Sequence, residues 1–374
     1  MQFADVIGQE SVKVRLRNTF HEGRIAHALM FLGPEGSGNL AMALAFAQYI
    51  ACRDRTAEDS CGICGNCRKI TAAGHPDVHY TFPFFNIDGE LKTTCNHWMN
   101  EWRPFLVKHP YANIDQWREE ITKDNKQLHV SVYEALNIIQ GLSLKSFDGG
   151  YKFQIIWMAE YLKELTANKL LKVIEEPPEN TLFFLVASSL ENMLPTILSR
   201  VQVIHVPRIE DADIMKVLSN KGVAENKASE ISHFAHGNWN RVLQLMNSSN
   251  PDDNYAQKFQ VWMRACYKKD VIYLIRWADE MHGQPRDEQK HFLQYALDQI
   301  RQNLMLNYVG EDFVRLNMME KTFSDKFAPF INDLNAEDLM EEISEAHHDI
   351  SRNVYSKLVL TDLSMKVHYL LARK

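Results

Sequence analysis

At 374 residues the chain has room for two to three domains of roughly 150 residues each. Its 45% hydrophobic and 24% charged composition excludes global disorder, a collagen-like repeat and a disulfide-dense secreted module. Forty-one basic against 48 acidic residues leave a formal charge of −7, so any contact with nucleic acid has to use a local basic patch or pass through partners. Met1 to Glu10 carries Asp5 and Glu10 and lacks a basic start followed by an apolar core, so no secretory signal is expected. The longest apolar run, Leu40 to Cys52, is broken by Gln48 and falls short of the roughly 18 residues of a membrane span. A cytoplasmic protein without membrane contact is the expectation.

In chain order, Ala28 to Leu32 is the first short apolar run, bounded as a strand buried on both faces should be. Gly33-Pro34-Glu35-Gly36-Ser37-Gly38-Asn39-Leu40 follows it and opens a helical run to Ala51, the strand, turn and helix context of a phosphate-binding loop. In such loops the glycines turn backbone N–H groups toward a phosphate, a lysine neutralises it and a hydroxyl binds magnesium. Here Asn39 stands at the lysine position and Leu40 at the hydroxyl position. Gly33, Gly36, Gly38 and Asn39 therefore form a degenerate loop, with a purely structural glycine turn as the competing reading.

Cys52, Cys61, Cys64 and Cys67 then give C-x8-C-x2-C-x2-C, with Gly62 and Gly65 after ligand candidates to permit tight turns. Four thiolates close a tetrahedral zinc site with no position left open for catalysis. An iron–sulfur cluster and unligated thiols are the alternatives. Cys95 and Cys266 stand alone and read as buried thiols, and a full set of four cysteines leaves His75, His79 and His97 no ligand role. From about 79 to 127 the chain is rich in aromatics without a clean period. This insertion is expected to fill a small core of its own, against a partner or single-strand stacking surface as the functional alternative.

Lys152 to Met158 and Leu182 to Ala187 supply two more central strands. The first ends in Trp157-Met158-Ala159-Glu160, where a nucleotide-hydrolysing site would place an aspartate for magnesium and a carboxylate for the attacking water. With Asn39 and Leu40, three necessary groups are missing together, and no nucleotide hydrolysis by this chain is expected. Pro195 suits the first turn of a short helix over Thr196 to Ser199 that delivers Arg200. Asp211 to Asn220, Asn226 to His236 and Asn240 to Asn247 read as three short helices. A polar break from Asn250 to Asn254 follows, and apolar residues at helical spacing continue to Lys374.

Ile7-Gly8-Gln9-Glu10, His27 to Phe31 with the glycine loop, Gly74-His75-Pro76-Asp77, Leu142 to Lys145, Leu170-Leu171-Lys172 through Glu175-Glu176-Pro177-Pro178, and Leu194 to Arg200 occur in this order. In these stretches the chain resembles the delta-prime subunits of the bacterial DNA polymerase III clamp loader, which are phosphate-loop proteins of the AAA+ class. The resemblance is thinner from Gly237 to Leu243 and from Arg352-Asn353 to Leu371. The aromatic insertion has no counterpart in it, and Val201 stands where the family usually has cysteine.

The resemblance implies an α/β fold. Its AAA+ parallel sheet would occupy 1–206, with a four-cysteine zinc module at 52–67 and the insertion at about 79–127. A small helical lid would follow at 207–249 and an all-α collar at 250–374. It also implies a non-catalytic stator subunit in the polymerase III holoenzyme. The partners would be gamma/tau-type motor subunits and a delta-type subunit, with the sliding clamp and primed DNA reached through the complex. Arg200, beside Ser199, would act as a trans arginine finger on a neighbour's ATP, a planar permanent cation where negative charge develops. An ordinary surface arginine is the competing reading. Arg241 matches a position where the class often places a nucleotide-sensing arginine, although a structural role is the expectation here. An ATP-hydrolysing motor of the same class and a zinc-dependent nucleic-acid-binding module are the alternatives for the whole chain.

Overall fold

The computed structural model describes every residue except 88, 91, 123–125, 192, 248–250, 311–313, 315, 317, 353 and 374. Of the polar break expected from Asn250 to Asn254, Asn250 lies outside the described residues and the rest opens the helix Pro251–Lys268, since proline suits a first helical turn; the resemblance read at Asn353 also lies outside the described residues. Two compact units divide the chain, Met1–Met246 and Asn247–Lys374.

The first unit is built on five parallel strands: β1 (Ala28–Leu32), β2 (Val78–Thr81), β3 (Lys152–Trp157), β4 (Thr181–Ala187) and β5 (Gln202–His205). They stand in the order β2-β3-β4-β1-β5. The register pairs Ala28 with Phe183, Leu29 with Gln202, and Lys152 with Thr181. Alternation explains why the three central strands read as unbroken apolar runs. Leu29 and Phe31 of β1, with Leu182, Phe184 and Val186 of β4, face one hydrophobic cluster, while Ala28, Met30, Phe183, Leu185 and Ala187 face another. The helix Asn39–Ala51 is buried along nearly its whole length against the first face, where Phe46 stacks on Phe184 at a centroid distance of 5.6 Å. The expected AAA+-type α/β core is thus observed, with β2 and β5 added at its edges.

Helices Asp211–Asn220, Glu225–Ala235 and Trp239–Asn247 fall within a residue of the three expected after Pro207. Ile214, Leu218, Ile231, Trp239 and Val242 join the same cluster as the first face of the sheet. So do Phe82, Phe84, Trp102, Phe105, Tyr111 and Trp117 of the aromatic insertion. The insertion therefore differs from expectation in one respect: its helices, Met99–Lys108 and Ile114–Ile121, extend the main core and enclose no separate one. Large aromatic rings that lack a period of their own find their apolar environment on an existing sheet edge.

The second unit is helical throughout its described residues, from Pro251–Lys268 to Ser356–Leu371. Trp262 and Trp277 stack at 4.9 Å at the centre of its core, and Trp262 Nε1 donates to Ser364 Oγ at 2.9 Å. No described helix is long and apolar enough to cross a membrane.

Candidate functional site

In an open parallel α/β sheet, ligands bind outside the carboxyl ends of the strands. The glycine loop lies there, between β1 and the helix Asn39–Ala51. Gly36 and Gly38 have φ of 69° and 90°, as the turn requires. Several donors of the loop are already engaged: the N–H groups of Gly33 and Ser37 donate to the carbonyls of Ala187 and Pro34. Asn39 Nδ2 donates to the carbonyls of Gly33 and Ala187 at 3.1 and 3.0 Å, stitching the loop to the end of β4. The N–H of Leu40, at the helix start where a phosphate would bind, donates to Asn39 Oδ1 at 2.8 Å. Asn39 thus removes the lysine charge and also acts as a local cap.

Protein fills the space above the loop. A Cβ on Gly38 would stand 2.7 Å from the ring of Tyr111, and one on Gly36 would stand 1.9 Å from Asn238 Oδ1. The N–H of Trp239 donates to the carbonyl of Gly36 at 3.1 Å. Tyr111 is held from both ends: its hydroxyl accepts from the N–H of Ile7 at 2.8 Å, and its carbonyl accepts from Asn240 Nδ2 at 2.9 Å. Gln9 Nε2 donates to the carbonyls of Ser37 and Pro207 at 3.2 and 2.5 Å. Beside these residues lies a cavity of about 890 Å³ whose walls include Ile7, Lys13, Tyr111, Asp213, Lys216 and Trp239. None of residues 33–40 lines it, because Tyr111 and Trp239 stand between the open space and the glycines.

The end of β3 is closed in the same manner. Trp157, 1% exposed, packs against Trp102 at 5.2 Å and Phe105 at 6.3 Å, and Trp102 in turn stacks on Phe82 at 4.1 Å. One helix of the insertion, Met99–Lys108, therefore rests on the residue that stands at the magnesium-aspartate position. The next carboxylate in the chain, Glu160, is half-buried, and burial of its carboxyl group pushes it up to about 7. One of its oxygens accepts from the N–H of Ser188 at 2.9 Å and the other has no hydrogen-bond partner among the described residues. It ties the end of β3 to the residue that follows β4.

Pro195–Leu198 is a short helix with proline in its first turn. Arg200 follows, with its side chain 31% exposed. Its Nε donates to Glu175 Oε2 at 2.8 Å, and Nη1 donates to the carbonyl of Thr196 and to Ser199 Oγ at 3.0 and 3.2 Å. The guanidinium is thereby oriented by its own chain, with the carboxylate supplied from the Glu175-Glu176-Pro177-Pro178 stretch. The N–H of Arg241 donates to Asn238 Oδ1 at 3.3 Å, beside the closed loop.

The four cysteines converge at the opposite end of the helix Asn39–Ala51. Cys52 caps that helix and Cys64 caps Gly65–Thr71, which contains Cys67. All four sulfurs lie within 4.8 Å of one another; Cys52 and Cys64 are 4.0 Å apart and Cys61 and Cys67 are 3.9 Å apart. A tetrahedron with Zn–S bonds of about 2.3 Å has sulfurs roughly 3.8 Å apart, so the set fits one ion. A four-iron cluster, with an iron under each sulfur, would hold them farther apart. Burial raises Cys64, but amide hydrogen bonds from Cys67 and Arg53 and the neighbouring thiols outweigh it and bring Cys64 to about 6. Burial pushes Cys52 and Cys67 up. Gly62 stands at φ 72°, the left-handed region that favours glycine, which explains a glycine in this knuckle. Twelve rises of about 1.5 Å separate the cluster from the glycine loop, roughly 18 Å, so any ion here is remote from the loop.

Cys95 and Cys266 are buried, as expected, and His75, His79 and His97 lie outside the cysteine cluster. Sequence reasoning assigned no role to Tyr111 or Glu160. Tyr111 stood in the aromatic stretch with nothing to distinguish it, since its partners Ile7 and Gly38 are distant in the chain.

A family model described as "DNA polymerase III, delta subunit" matches residues 8–210. DNA polymerase III subunit delta' of Bacillus subtilis is 26% identical over 245 residues, covering 66% of this chain and 60% of that protein. Subunit tau of Escherichia coli is 28% identical over 244 residues, covering 65% of this chain and 30% of that protein. The chain thus spans less than two thirds of either relative. Among solved structures, a DNA polymerase III gamma subunit-related protein of Thermotoga maritima aligns over 96% of this chain and 99% of its own, with a TM-score of 0.41 and 13% identity.

Proposed function

The chain belongs to the DNA polymerase III delta-subunit family of clamp-loader subunits, and from that premise we propose that it is the delta-prime-type stator of the complex, a subunit that hydrolyses no nucleotide. Both places where nucleotide hydrolysis needs charge are occupied by packed side chains. Asn39 stitches the loop to β4, and Trp157 anchors the insertion helix. This joint closure is the observation that carries the reading. A motor would have to bring lysine and carboxylates to these positions, and a phosphate would have to displace Tyr111 from above Gly38.

In this reading the first unit packs beside a gamma/tau-type motor, and Arg200, steadied by Ser199 and Glu175, completes that neighbour's ATP site. A delta-type subunit is the other partner, and residues 250–374 join a collar that holds the subunits together. As a whole the complex uses ATP to open a sliding clamp and place it on primed DNA, in the cytoplasm. Cys52, Cys61, Cys64 and Cys67 hold a structural zinc, which pins the end of the helix Asn39–Ala51 to the helix Gly65–Thr71.

The test has two arms. The purified chain alone shows no ATP turnover above background, whereas turnover at a motor's rate would restore the motor reading. In the assembled complex, Arg200→Ala leaves assembly intact and lowers DNA-stimulated ATP turnover about tenfold or more at the site it completes. Unchanged turnover of that complex would refute the finger.

A further inference from the structure

The second unit carries a groove on the surface of its core. It encloses about 430 Å³ between the helices Pro251–Lys268 and Met318–Phe327, the short 3-10 turn Ala328–Phe330, and Leu371. Its floor is apolar: Met263, Phe327 and Leu371 are buried there, and Phe323 stacks on Phe327 at 4.9 Å. One wall is Tyr267 set edge-on to Phe330 at 5.0 Å, and Tyr267 remains 57% exposed. Met319, 39% exposed, closes the other side. Methionine and aromatic walls of this kind re-pack around varied apolar side chains.

Charge decides what the groove accepts. Its lining holds Arg264, Lys268 and Lys326 and no aspartate or glutamate. None of these three cations forms an ion pair among the described residues, although the whole chain is acidic at −7. Arg264 instead lies over the Phe323 ring at 5.8 Å. An apolar trough rimmed by unpaired cations is complementary to an amphipathic segment with apolar anchors and acidic flanks. Single-stranded nucleic acid fits less well, because Phe327 is buried and stacked against Phe323, which leaves Tyr267 as the one largely exposed ring among the described lining residues where successive bases would need several.

We propose that the groove lined by Met263, Tyr267, Phe323, Phe330, Lys268 and Lys326 docks an acidic amphipathic peptide segment of a protein partner. The site is independent of the nucleotide reading, which concerns the other unit.

The test titrates the full chain against a fluorescein-labelled synthetic peptide. Leucine and phenylalanine occupy its i, i+3, i+4 and i+7 positions and glutamate or aspartate the remainder. Saturable binding is expected, weaker by about tenfold or more when the acidic residues are replaced by lysine or when the spacing is scrambled. The double variant Lys268→Glu/Lys326→Glu, at two exposed positions, should weaken it by a similar factor while its melting temperature stays unchanged. A Tyr267→Ala variant supplies a second reading should the double variant unfold. Four results would each overturn the proposal: no saturable binding, equal binding of the acidic and basic peptides, tighter binding of oligodeoxythymidylate than of the acidic peptide, or self-association of the chain that both variants abolish.

Discussion

The two ends of the helix Asn39–Ala51 have had opposite histories. At its carboxyl end four cysteines keep a complete ligand set around one point. At its amino end the glycine turn survives, but Asn39 occupies the N–H of Leu40 and Tyr111 packs against Gly38. A metal site of four like donors loses its function with any one of them and is therefore kept whole or lost. A phosphate loop can shed its charges and still serve as a turn, because backbone geometry alone holds the strand to the helix. The vacated volume is then filled with protein, since an interior void forfeits dispersion contacts.

The sharpest way to break this contrast is to empty the cysteine site. Cys61→Ser or a strong chelator should release about one zinc per chain and destabilise the first unit by about 5 kcal/mol or more, because folding is coupled to metal binding at such sites. Elemental analysis with thermal unfolding reads both quantities. A chain purified without metal and equally stable would remove the contrast.

At the other end, restoring a lost group should harm and not help. Trp157→Asp would put a carboxylate against Trp102 and Phe105 and is expected to cost about 3–5 kcal/mol without any gain of ATP turnover. Denaturant unfolding with an ATPase assay decides it, and a variant that is stable and hydrolyses ATP would mean that the site is poised and not closed.

Glu160 sharpens the picture through pH. Its folded pKa, about 7, lies above its ordinary value of 4.5, so the folded state binds more protons between the two and stability falls as pH rises through that window. Glu160→Gln should remove this loss, making the variant more stable than the parent by about 3 kcal/mol at pH 8 and indistinguishable from it at pH 4. Parallel unfolding midpoints of the two proteins across the range would contradict the burial argument.

The smallest effect concerns the surface. The Arg200–Glu175 pair is partly exposed, so Glu175→Ala should change stability by no more than about 0.5 kcal/mol. It should nonetheless alter turnover of the assembled complex if Glu175 orients the finger. Identical turnover would reduce the pair to an ordinary surface contact.

The central strands were legible because burial on both faces leaves an unbroken apolar run, as in Phe183-Phe184-Leu185-Val186. Edge strands β2 and β5 were not, since four residues such as Gln202-Val203-Ile204-His205, with mostly open side chains, carry no such run. The cysteine spacing pointed to four neighbouring sulfurs because three of the four lie within seven residues, where local turns bring sulfurs together. Asn39 could be read as the loss of a charge, but not as a bridge to Ala187, a residue 148 positions away.

By itself the sequence determined the apolar periodicities, the cysteine cluster and the absence of a lysine and an aspartate, all properties of residue type at short spacing. Only the tertiary structure decided that Tyr111 closes the glycine loop, that Trp102 rests on Trp157, and that Glu175 holds Arg200. Those contacts join segments far apart in the chain, and which of many aromatic or charged residues meet is settled by the packing of the whole core, not by any local pattern.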